Sequence, residues 1–120
     1  MSVESIVGIV KLNGDVEAIN VSFDGYPNGI GPYLLEKLNT TEIVDRIIKE
    51  GSCDSLTSRK VRYTEKPRMK FNDTKHLQNY VEKENKVSYI YLWIEHDSLW
   101  KFIDTKKIDE FIHLKKYLNQ

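Results

Sequence analysis

The side chains best suited to binding an anion lie in one short segment, residues 59–70. This segment carries six basic residues and one acidic residue, whereas the whole chain carries 18 of each sign. Arg59 and Arg62 stand three positions apart, and Tyr63 follows them directly. Arginine forks match the geometry of phosphate oxygens, and a neighbouring aromatic ring can stack on a nucleobase. The pattern therefore predicts a pocket for a phosphorylated ligand, or alternatively a solvated basic loop that pairs with the acidic first half of the chain.

A second candidate for anion binding is the glycine-rich stretch at residues 24–31. It leads into a predicted helix, and backbone amides at a helix start can hold a phosphate. The stretch matches neither the Walker A pattern nor Gly-x-Gly-x-x-Gly. Two interpretations stay open: an anion site that includes Asp24 and Tyr26, or a strand-to-helix turn whose glycines adopt positive φ and whose Asp24 caps turn amides.

Metal and nucleophile chemistry find little support in the residue spacing. His76, His96 and His113 stand far from one another and from the single cysteine, Cys53. No pair of residues has the spacing of a zinc site or a calcium loop. Nothing close to Cys53 in the sequence would lower its pKa. We therefore predict no metal site, no cofactor and no catalytic residue, and we expect Cys53 to be a partly buried, inert thiol.

Composition restricts the partners and the location. The chain has 120 residues and zero net charge, so bulk attraction to nucleic acid or to an anionic membrane is absent, and extended DNA binding is disfavoured. No apolar run approaches the roughly 18 residues that cross a bilayer, and the first residues lack a signal-peptide pattern. A lone cysteine fits a reducing compartment. We expect a single α+β domain over residues 1–120 that resides in the cytoplasm.

The elements that position these residues begin with a predicted β-hairpin. Two β-branched runs flank Asn13-Gly14, which favours a type I′ turn that pairs Leu12 with Asp15 and Ile6 with Val21. The face predicted to be buried holds Ile6, Val10, Leu12, Ile19, Val21 and Phe23. The opposite face holds Val7, Ile9 and Val16, so we expect a partner element or a second subunit to cover it.

Helices are predicted after the hairpin. Pro32 suits the first position of a helix that runs through Leu38. Asn39 or Thr40 then caps a second helix that ends near Gly51. A third, short helix is expected over residues 74–84, with Leu77, Tyr80 and Val81 on one side.

The last third of the chain predicts a second hairpin, with strands at residues 87–94 and 99–103. Asp104 or Thr105 then caps a final helix that carries Ile108, Phe111, Ile112 and Leu118. The predicted fold is α+β, with an antiparallel sheet from two β-hairpins, a helix pair between them and a C-terminal helix.

Aromatic residues alternate along the first strand of the second hairpin. Tyr89, Tyr91 and Trp93 share one face of that strand. Three interpretations are open: a platform that stacks on bases, a contact between subunits, or a surface on which the last helix packs.

The string Asp24-Gly25-Tyr26-Pro27-x-Gly29-x-Gly31, followed by Gly51-x-x-x-Ser55-Leu56, resembles a group of small phage and prophage proteins. That group carries an "HWDGYP-x-GVG" signature, a short helix pair and a "GDLSSL"-like stretch. Here Ser22-Phe23 stands where His-Trp is usual, so any role of that histidine is absent. The resemblance implies a phage origin, and small phage proteins without catalytic motifs are often directed against host defence.

The leading hypothesis is a non-enzymatic counter-defence protein that sequesters a small phosphorylated nucleotide, as a homo-oligomer. The residues expected to contact phosphate are Arg59, Arg62, Arg68 and Lys70, with Tyr26, Tyr63 or a tryptophan stacking on the base. The second hypothesis is an anti-CRISPR-like inhibitor that binds a host defence protein through an acidic patch. The residues of that patch are Asp15, Glu17, Asp24, Glu36, Glu42 and Asp45. A nucleotide hydrolase is the third hypothesis. It ranks below the other two because no paired acid and base and no activated nucleophile is visible.

Overall fold

The fold is built around one mixed β-sheet. The computed structural model describes residues 3–57, 60–84, 86–106 and 110–119. The elements in these ranges are β1 Ser5–Val10, β2 Val16–Val21, α1 Pro27–Lys37, α2 Thr41–Glu50, β3 Met69–Phe71, α3 Thr74–Glu84, β4 Tyr89–Ile94, β5 Leu99–Asp104, β6 Ile112–His113 and α4 Leu114–Leu118. The strand order is β3-β2-β1-β4-β5-β6. The α+β class and both predicted hairpins are confirmed.

The sequence predicted a purely antiparallel sheet, but the sheet contains one parallel pair of strands. β1 lies between β2, its antiparallel hairpin partner, and β4, with which it pairs in parallel. Ser5 therefore faces Val21 on one side and Tyr89 on the other. A parallel pair needs a long crossover connection, and the chain between β1 and β4 contains three helices that supply it. The prediction was wrong here because hairpin signals report only neighbouring strands.

The first hairpin also pairs in a different register. Val10 lies opposite Val16, and Ser5 rather than Ile6 lies opposite Val21. The amide of Gly14 donates to the carbonyl of Lys11, and Gly14 itself has φ of 96°. A left-handed glycine after such a turn produces a bulged loop instead of the expected two-residue type I′ turn. A shift of one residue exchanges the faces of a strand's side chains, so the predicted shared face was wrong.

Both faces of the sheet are covered by helices of the same chain. On the first face, α1, α2 and α4 pack over side chains that include Val7, Ile9 and Ile19. On the second face, Leu77 and Val81 of α3 pack in a cluster with Ile6 and other sheet residues. Of the residues predicted to need a cover, Val7 and Ile9 lie beneath α1, α2 and α4, and Val16 lies in the cluster with α3, so the cover is a partner element of the same chain. No second subunit is needed for that purpose.

The alternating aromatic residues lie inside the first face. Tyr91, Trp93 and Trp100 are almost completely buried there. The indole nitrogen of Trp93 donates to Thr41 Oγ1 at 2.9 Å, and that of Trp100 donates to the carbonyl of Leu38 at 2.8 Å. These aromatic rings therefore pack beneath helices, but the hydrogen bonds of Trp93 and Trp100 reach α2 and the end of α1 rather than the last helix, which was the expected contact.

Helix α1 begins earlier than the sequence had indicated. Pro27 occupies its first turn and Pro32 lies inside it. The carbonyl of Tyr26 accepts from the amides of Gly29 and Ile30, which starts the helix upstream of Pro32. Ile30 and Leu34, four residues apart, then pack into the core. α2 follows the prediction more closely, since Thr40 Oγ1 accepts from the amide of Ile43 and Gly51 ends the helix.

The long C-terminal helix is also corrected. Of its predicted residues, Ile108 lies outside the described ranges, Ile112 belongs to β6, and only Leu114–Leu118 is helical. The hydroxyl of Thr105 donates to the carbonyls of Val87 and Ser88, and part of the first turn of the helix that Asp104 or Thr105 was expected to cap lies outside the described residues. α3 agrees with the predicted helix at residues 74–84. In the described part of the chain, no helix has the length and apolar character needed to cross a bilayer.

Candidate anion-binding groove

The basic segment follows the outer edge of β2. β3 pairs with the first half of β2, and Cys53 forms a bridge to Val21 at its other end. Tyr63 in turn bridges Cys53 on its outer side. The amide of Ser52 donates to the carbonyl of Lys66 at 2.9 Å, which continues this contact along the segment. The end of α2 thus lies beside the basic segment, although both were predicted without reference to each other.

An open groove of about 470 Å³ lies between the end of α2, this segment and β3. Its lining residues are Lys49, Glu50, Gly51, Tyr63, Glu65, Lys66, Pro67, Arg68 and Lys70. The lining includes four basic and two acidic residues, on a chain whose net charge is zero. An excess of positive charge at a concave surface favours an anionic ligand.

Two of the four cations are already engaged within the protein. Arg68 Nε lies 2.9 Å from Glu17 Oε1, and Lys49 Nζ lies 3.0 Å from Asp45 Oδ2. Lys11 joins the two pairs, since its ammonium lies 3.1 Å from Glu17 and 3.6 Å from Asp45. The hydrogen bond to Glu17 raises the pKa of Lys11, and the hydrogen bond from Lys49 lowers the pKa of Asp45. This network holds Arg68 in place against β2.

The other two cations of the groove remain available to a ligand. Among the residues that the structure describes, neither Lys66 nor Lys70 takes part in an ion pair. Both side chains are exposed. Lys70 stands directly opposite Glu17 across the β2–β3 pair, and therefore beside the fixed guanidinium of Arg68. Lys66, Arg68 and Lys70 thus place three cations along the lining of the groove.

Tyr63 supplies the aromatic surface of the groove. Its side chain is 49% exposed. Partial burial raises the pKa of Tyr63, and the nearby Glu50 carboxylate adds to this effect. The phenol is therefore neutral at ordinary pH and can both donate a hydrogen bond and stack on a flat ligand.

The structure brings together only part of the predicted site. Tyr63, Arg68 and Lys70 line the groove. Arg62 does not line it: its backbone pairs with Asp54, whose carboxylate accepts from the Arg62 amide at 3.0 Å. Arg59 lies outside the described residues.

Asp24 and Tyr26 also lie away from the groove lining, in the turn before α1. The Asp24 carboxylate accepts from the hydroxyl of Ser55 at 3.4 Å, and Asp24 itself has φ of 62°. The expectation that the glycines of this turn adopt positive φ is wrong, because the left-handed residue is Asp24. Gly25 instead allows close approach: a Cβ there would lie 2.7 Å from the Cβ of Ser5.

This turn is held by backbone contacts. The amide of Gly25 donates to the carbonyl of Val3, and the carbonyl of Gly25 accepts from the hydroxyl of Tyr91 at 2.7 Å. In the first turn of α1, the amides of Gly29 and Ile30 both donate to the carbonyl of Tyr26. The arrangement favours the interpretation of residues 24–31 as a structural turn.

Sequence reasoning missed Lys49 and the two acids Glu50 and Glu65 as groove residues, and it placed Lys66 in the basic segment without expecting it to contact a ligand. Lys49 lies in the last turn of α2, and its position near the predicted helix end at Gly51 could be inferred from the sequence, since cations are favoured near helix C-termini. Its convergence with Lys66 could not be read, because it depends on where Cys53 returns to β2. The acids reduce the positive charge that the segment alone had suggested.

Other chemistry in the described residues is limited. No group of three or more His, Cys, Asp or Glu side chains among them could hold a metal ion. Cys53 is fully buried, which goes beyond the partial burial expected. Burial, together with the Asp54 carboxylate, raises the pKa of Cys53 to about 11, so the nucleophilic thiolate is scarce at neutral pH.

The fold and groove define an α+β protein with a mixed six-stranded sheet and an open basic groove at one edge. Comparison with protein-family models, with curated proteins and with solved structures produced no match to this chain.

Proposed function

We propose that this protein binds a small phosphorylated nucleotide in the basic groove, without turning it over. The observation that carries the proposal is the convergence of Tyr63 with Lys66, Arg68 and Lys70 in one concavity. The phosphate part of the ligand would contact the two lysines and the guanidinium that Glu17 holds in place, and the base would stack on Tyr63. The glycine turn at residues 24–31 takes no part in this contact.

The biological role that we propose is sequestration of a nucleotide signal by a phage protein. This role rests on the resemblance of the Asp24–Gly31 string to phage and prophage proteins. A binding protein of this kind needs no general base and no activated nucleophile. A hydrolase would need a general base beside the phosphate, and the candidates in the lining are Glu50 and Glu65, so turnover of any nucleotide by the purified chain would overturn this part of the proposal.

The test is a thermal-shift titration of the full chain with cyclic dinucleotides, ADP-ribose derivatives, mononucleotides and short oligonucleotides. A ligand at a hundred times its dissociation constant adds about 2.7 kcal/mol of stability. We expect one nucleotide class to raise Tm, and added salt to reduce this shift because phosphate contacts are screened. Silence across all four classes would overturn the proposal.

Variants then locate the site. Lys70→Gln and Tyr63→Ala should each reduce nucleotide affinity about tenfold, since each removes one phosphate or stacking contact. Lys75→Gln is the matched control, because Lys75 is an exposed lysine on α3 that does not line the groove. Equal affinities for Lys70→Gln and Lys75→Gln would show that the ligand binds elsewhere.

A second candidate function is inhibition of a host defence protein by direct contact. The acidic patch expected for this role is divided, because Glu17 and Asp45 are paired with Lys11, Arg68 and Lys49. The observation in its favour is the turn before α1, where Phe23 and Tyr26 are 49% and 44% exposed on either side of Asp24. Exposed aromatic rings are common anchors of protein interfaces. Capture of one host protein that Phe23→Ser releases would support this alternative.

A further inference from the structure

Tyr63 and Lys70 stand at different levels along the groove. Tyr63 bridges Cys53, which in turn bridges Val21 at the end of β2. Lys70 lies opposite Glu17, which precedes Val21 by four residues on the same strand. At about 3.3 Å per strand residue, these two levels are about 13 Å apart along β2.

Both side chains project from the face of the sheet that α2 covers. Directly opposed residues of paired strands point to the same side, and so do residues four apart on one strand. Val21 and Cys53 belong to the core cluster beneath α1, α2 and α4. Glu17 faces α2 as well, since the Lys11 ammonium contacts both its carboxylate and that of Asp45 on α2. The spacing between Tyr63 and Lys70 therefore runs along one surface.

Ion pairs hold the basic end of the groove at the level of Glu17. Arg68 Nε lies 2.9 Å from Glu17 Oε1, and the Glu17 side chain is only 13% exposed. Glu17 Oε2 also lies 3.1 Å from Lys11 Nζ. Breaking such a pair would leave a largely buried carboxylate with less charge compensation, which is costly. A phosphate that contacts Arg68 and Lys70 therefore lies near Glu17 and away from Tyr63.

The two acids of the lining disfavour a phosphate beside Tyr63. Glu65 follows Tyr63 by two residues. Partial burial and, after it, the Glu50 carboxylate raise the pKa of Tyr63, so Glu50 also lies near this ring. Carboxylates repel phosphate, whereas they accept hydrogen bonds from the amino group of a base or the hydroxyls of a ribose. Charge along the groove thus matches a nucleotide whose base lies at Tyr63 and whose phosphates extend away from it.

The middle of the groove is open and carries one further cation. Gly51 has no side chain, and a Cβ there would lie 2.9 Å from the carbonyl oxygen of Lys66. The same carbonyl accepts from the amide of Ser52, which fixes the backbone of Lys66. The Lys66 side chain is exposed and takes part in no ion pair with a described residue. Its place in the segment between Tyr63 and Arg68 provides a contact for a phosphate at an intermediate level.

We propose that the ligand of this groove is a nucleoside polyphosphate, with a linear chain of two or three phosphates. The base would stack on Tyr63, an inner phosphate would contact Lys66, and the terminal phosphate would contact Arg68 and Lys70. A nucleoside monophosphate is too short for this, because its one phosphate is joined directly to the nucleoside. This assignment rests on the proposed nucleotide binding and adds the length of the phosphate chain.

The test is isothermal titration calorimetry of the full chain with AMP, ADP and ATP, and with GMP, GDP and GTP, in EDTA so that no Mg²⁺ screens the phosphates. We expect affinity to rise along at least one series, by about tenfold or more from the monophosphate to the triphosphate. Equal affinities within each series would overturn the polyphosphate assignment and leave nucleotide binding intact. No binding in either series would overturn the proposed function together with this assignment.

Inorganic triphosphate is the probe for charge without a base. It should bind about tenfold or more weakly than the matching nucleoside triphosphate, because it cannot stack on Tyr63. Equal affinity for the two would overturn the base-binding end of the arrangement.

Variants of Lys70 separate a terminal-phosphate contact from a general charge effect. Lys70→Gln should weaken binding of the triphosphate about tenfold and change that of the monophosphate by less than about twofold, whereas Lys70→Arg should keep the difference between them. Tyr63→Ala should weaken both ligands alike, and Lys75→Gln on α3 should change neither. Equal losses for the monophosphate and the triphosphate in Lys70→Gln would refute the assignment of Lys70 to the terminal phosphate.

Discussion

Removal of one hydroxyl group should measure how firmly the turn at residues 24–31 is anchored. The side chain of Tyr91 is fully buried, and its hydroxyl donates to the carbonyl of Gly25 at 2.7 Å. In Tyr91→Phe this buried carbonyl loses its donor, and an unsatisfied buried acceptor costs about 1–3 kcal/mol. We expect the free energy of unfolding to fall by about 1.5 kcal/mol, which lowers Tm by roughly 5–9 °C for a chain of this length.

Tyr89→Phe is the matched control for this measurement. Tyr89 lies two residues away on the same face of β4, is partly exposed, and makes no hydrogen bond to a described residue. Its loss of a hydroxyl should change stability by less than about 0.5 kcal/mol. Urea unfolding followed by tryptophan fluorescence reports both variants. Equal destabilisation by the two substitutions would refute the role assigned to the Tyr91–Gly25 hydrogen bond.

The buried phenol of Tyr91 also makes the stability of the protein depend on pH, with a defined sign. Burial raises the pKa of Tyr91 above that of an unfolded tyrosine, which is about 10. The stabilisation from Tyr91 is therefore complete below pH ~10 and is lost as the pH rises further, by about 1.4 kcal/mol per pH unit. The Tyr91→Phe variant has no phenol at this position to ionise, so its stability does not fall for this reason. The difference in free energy of unfolding between the variant and the unsubstituted chain should therefore disappear about one pH unit above 10. A deficit that stays constant across this range would contradict the burial of the phenol.

Two further predictions concern the segment beside the groove. Gly51→Ala should destabilise the protein more than Gly14→Ala. Both glycines have φ near 95°, so alanine is strained at either position. A Cβ at Gly51 would also lie 2.9 Å from the carbonyl oxygen of Lys66, whereas a Cβ at Gly14 would have no atom within 4 Å. We expect about 1–2 kcal/mol for Gly14→Ala and at least ~1 kcal/mol more for Gly51→Ala in chemical denaturation, and equal losses would show that Lys66 yields freely. Cys53 should resist iodoacetamide in the folded protein near neutral pH and react with it in urea. The reason is that the thiol is buried and burial raises its pKa to about 11. Comparable labelling rates in the two conditions would contradict that burial.

The sequence by itself determined the elements whose signals are local. The capped stripe of α2, the helix over residues 74–84 and the two hairpins were all readable, because capping and periodicity act over a few residues. The basic and aromatic character of residues 59–70 was also readable. Four of its basic and aromatic members, Tyr63, Lys66, Arg68 and Lys70, do line one groove.

Only the tertiary structure decided how these elements combine. The parallel pairing of β1 with β4 joins residues more than 80 positions apart, and no local signal encodes such a contact. The hairpin register followed from the conformation of Gly14, where Asn-Gly permits more than one turn. The charge of the groove likewise depended on distant partners, since Glu17 engages Arg68 and Lys49 arrives from α2. Composition set which charges were present, whereas packing set which of them remained free to meet a ligand.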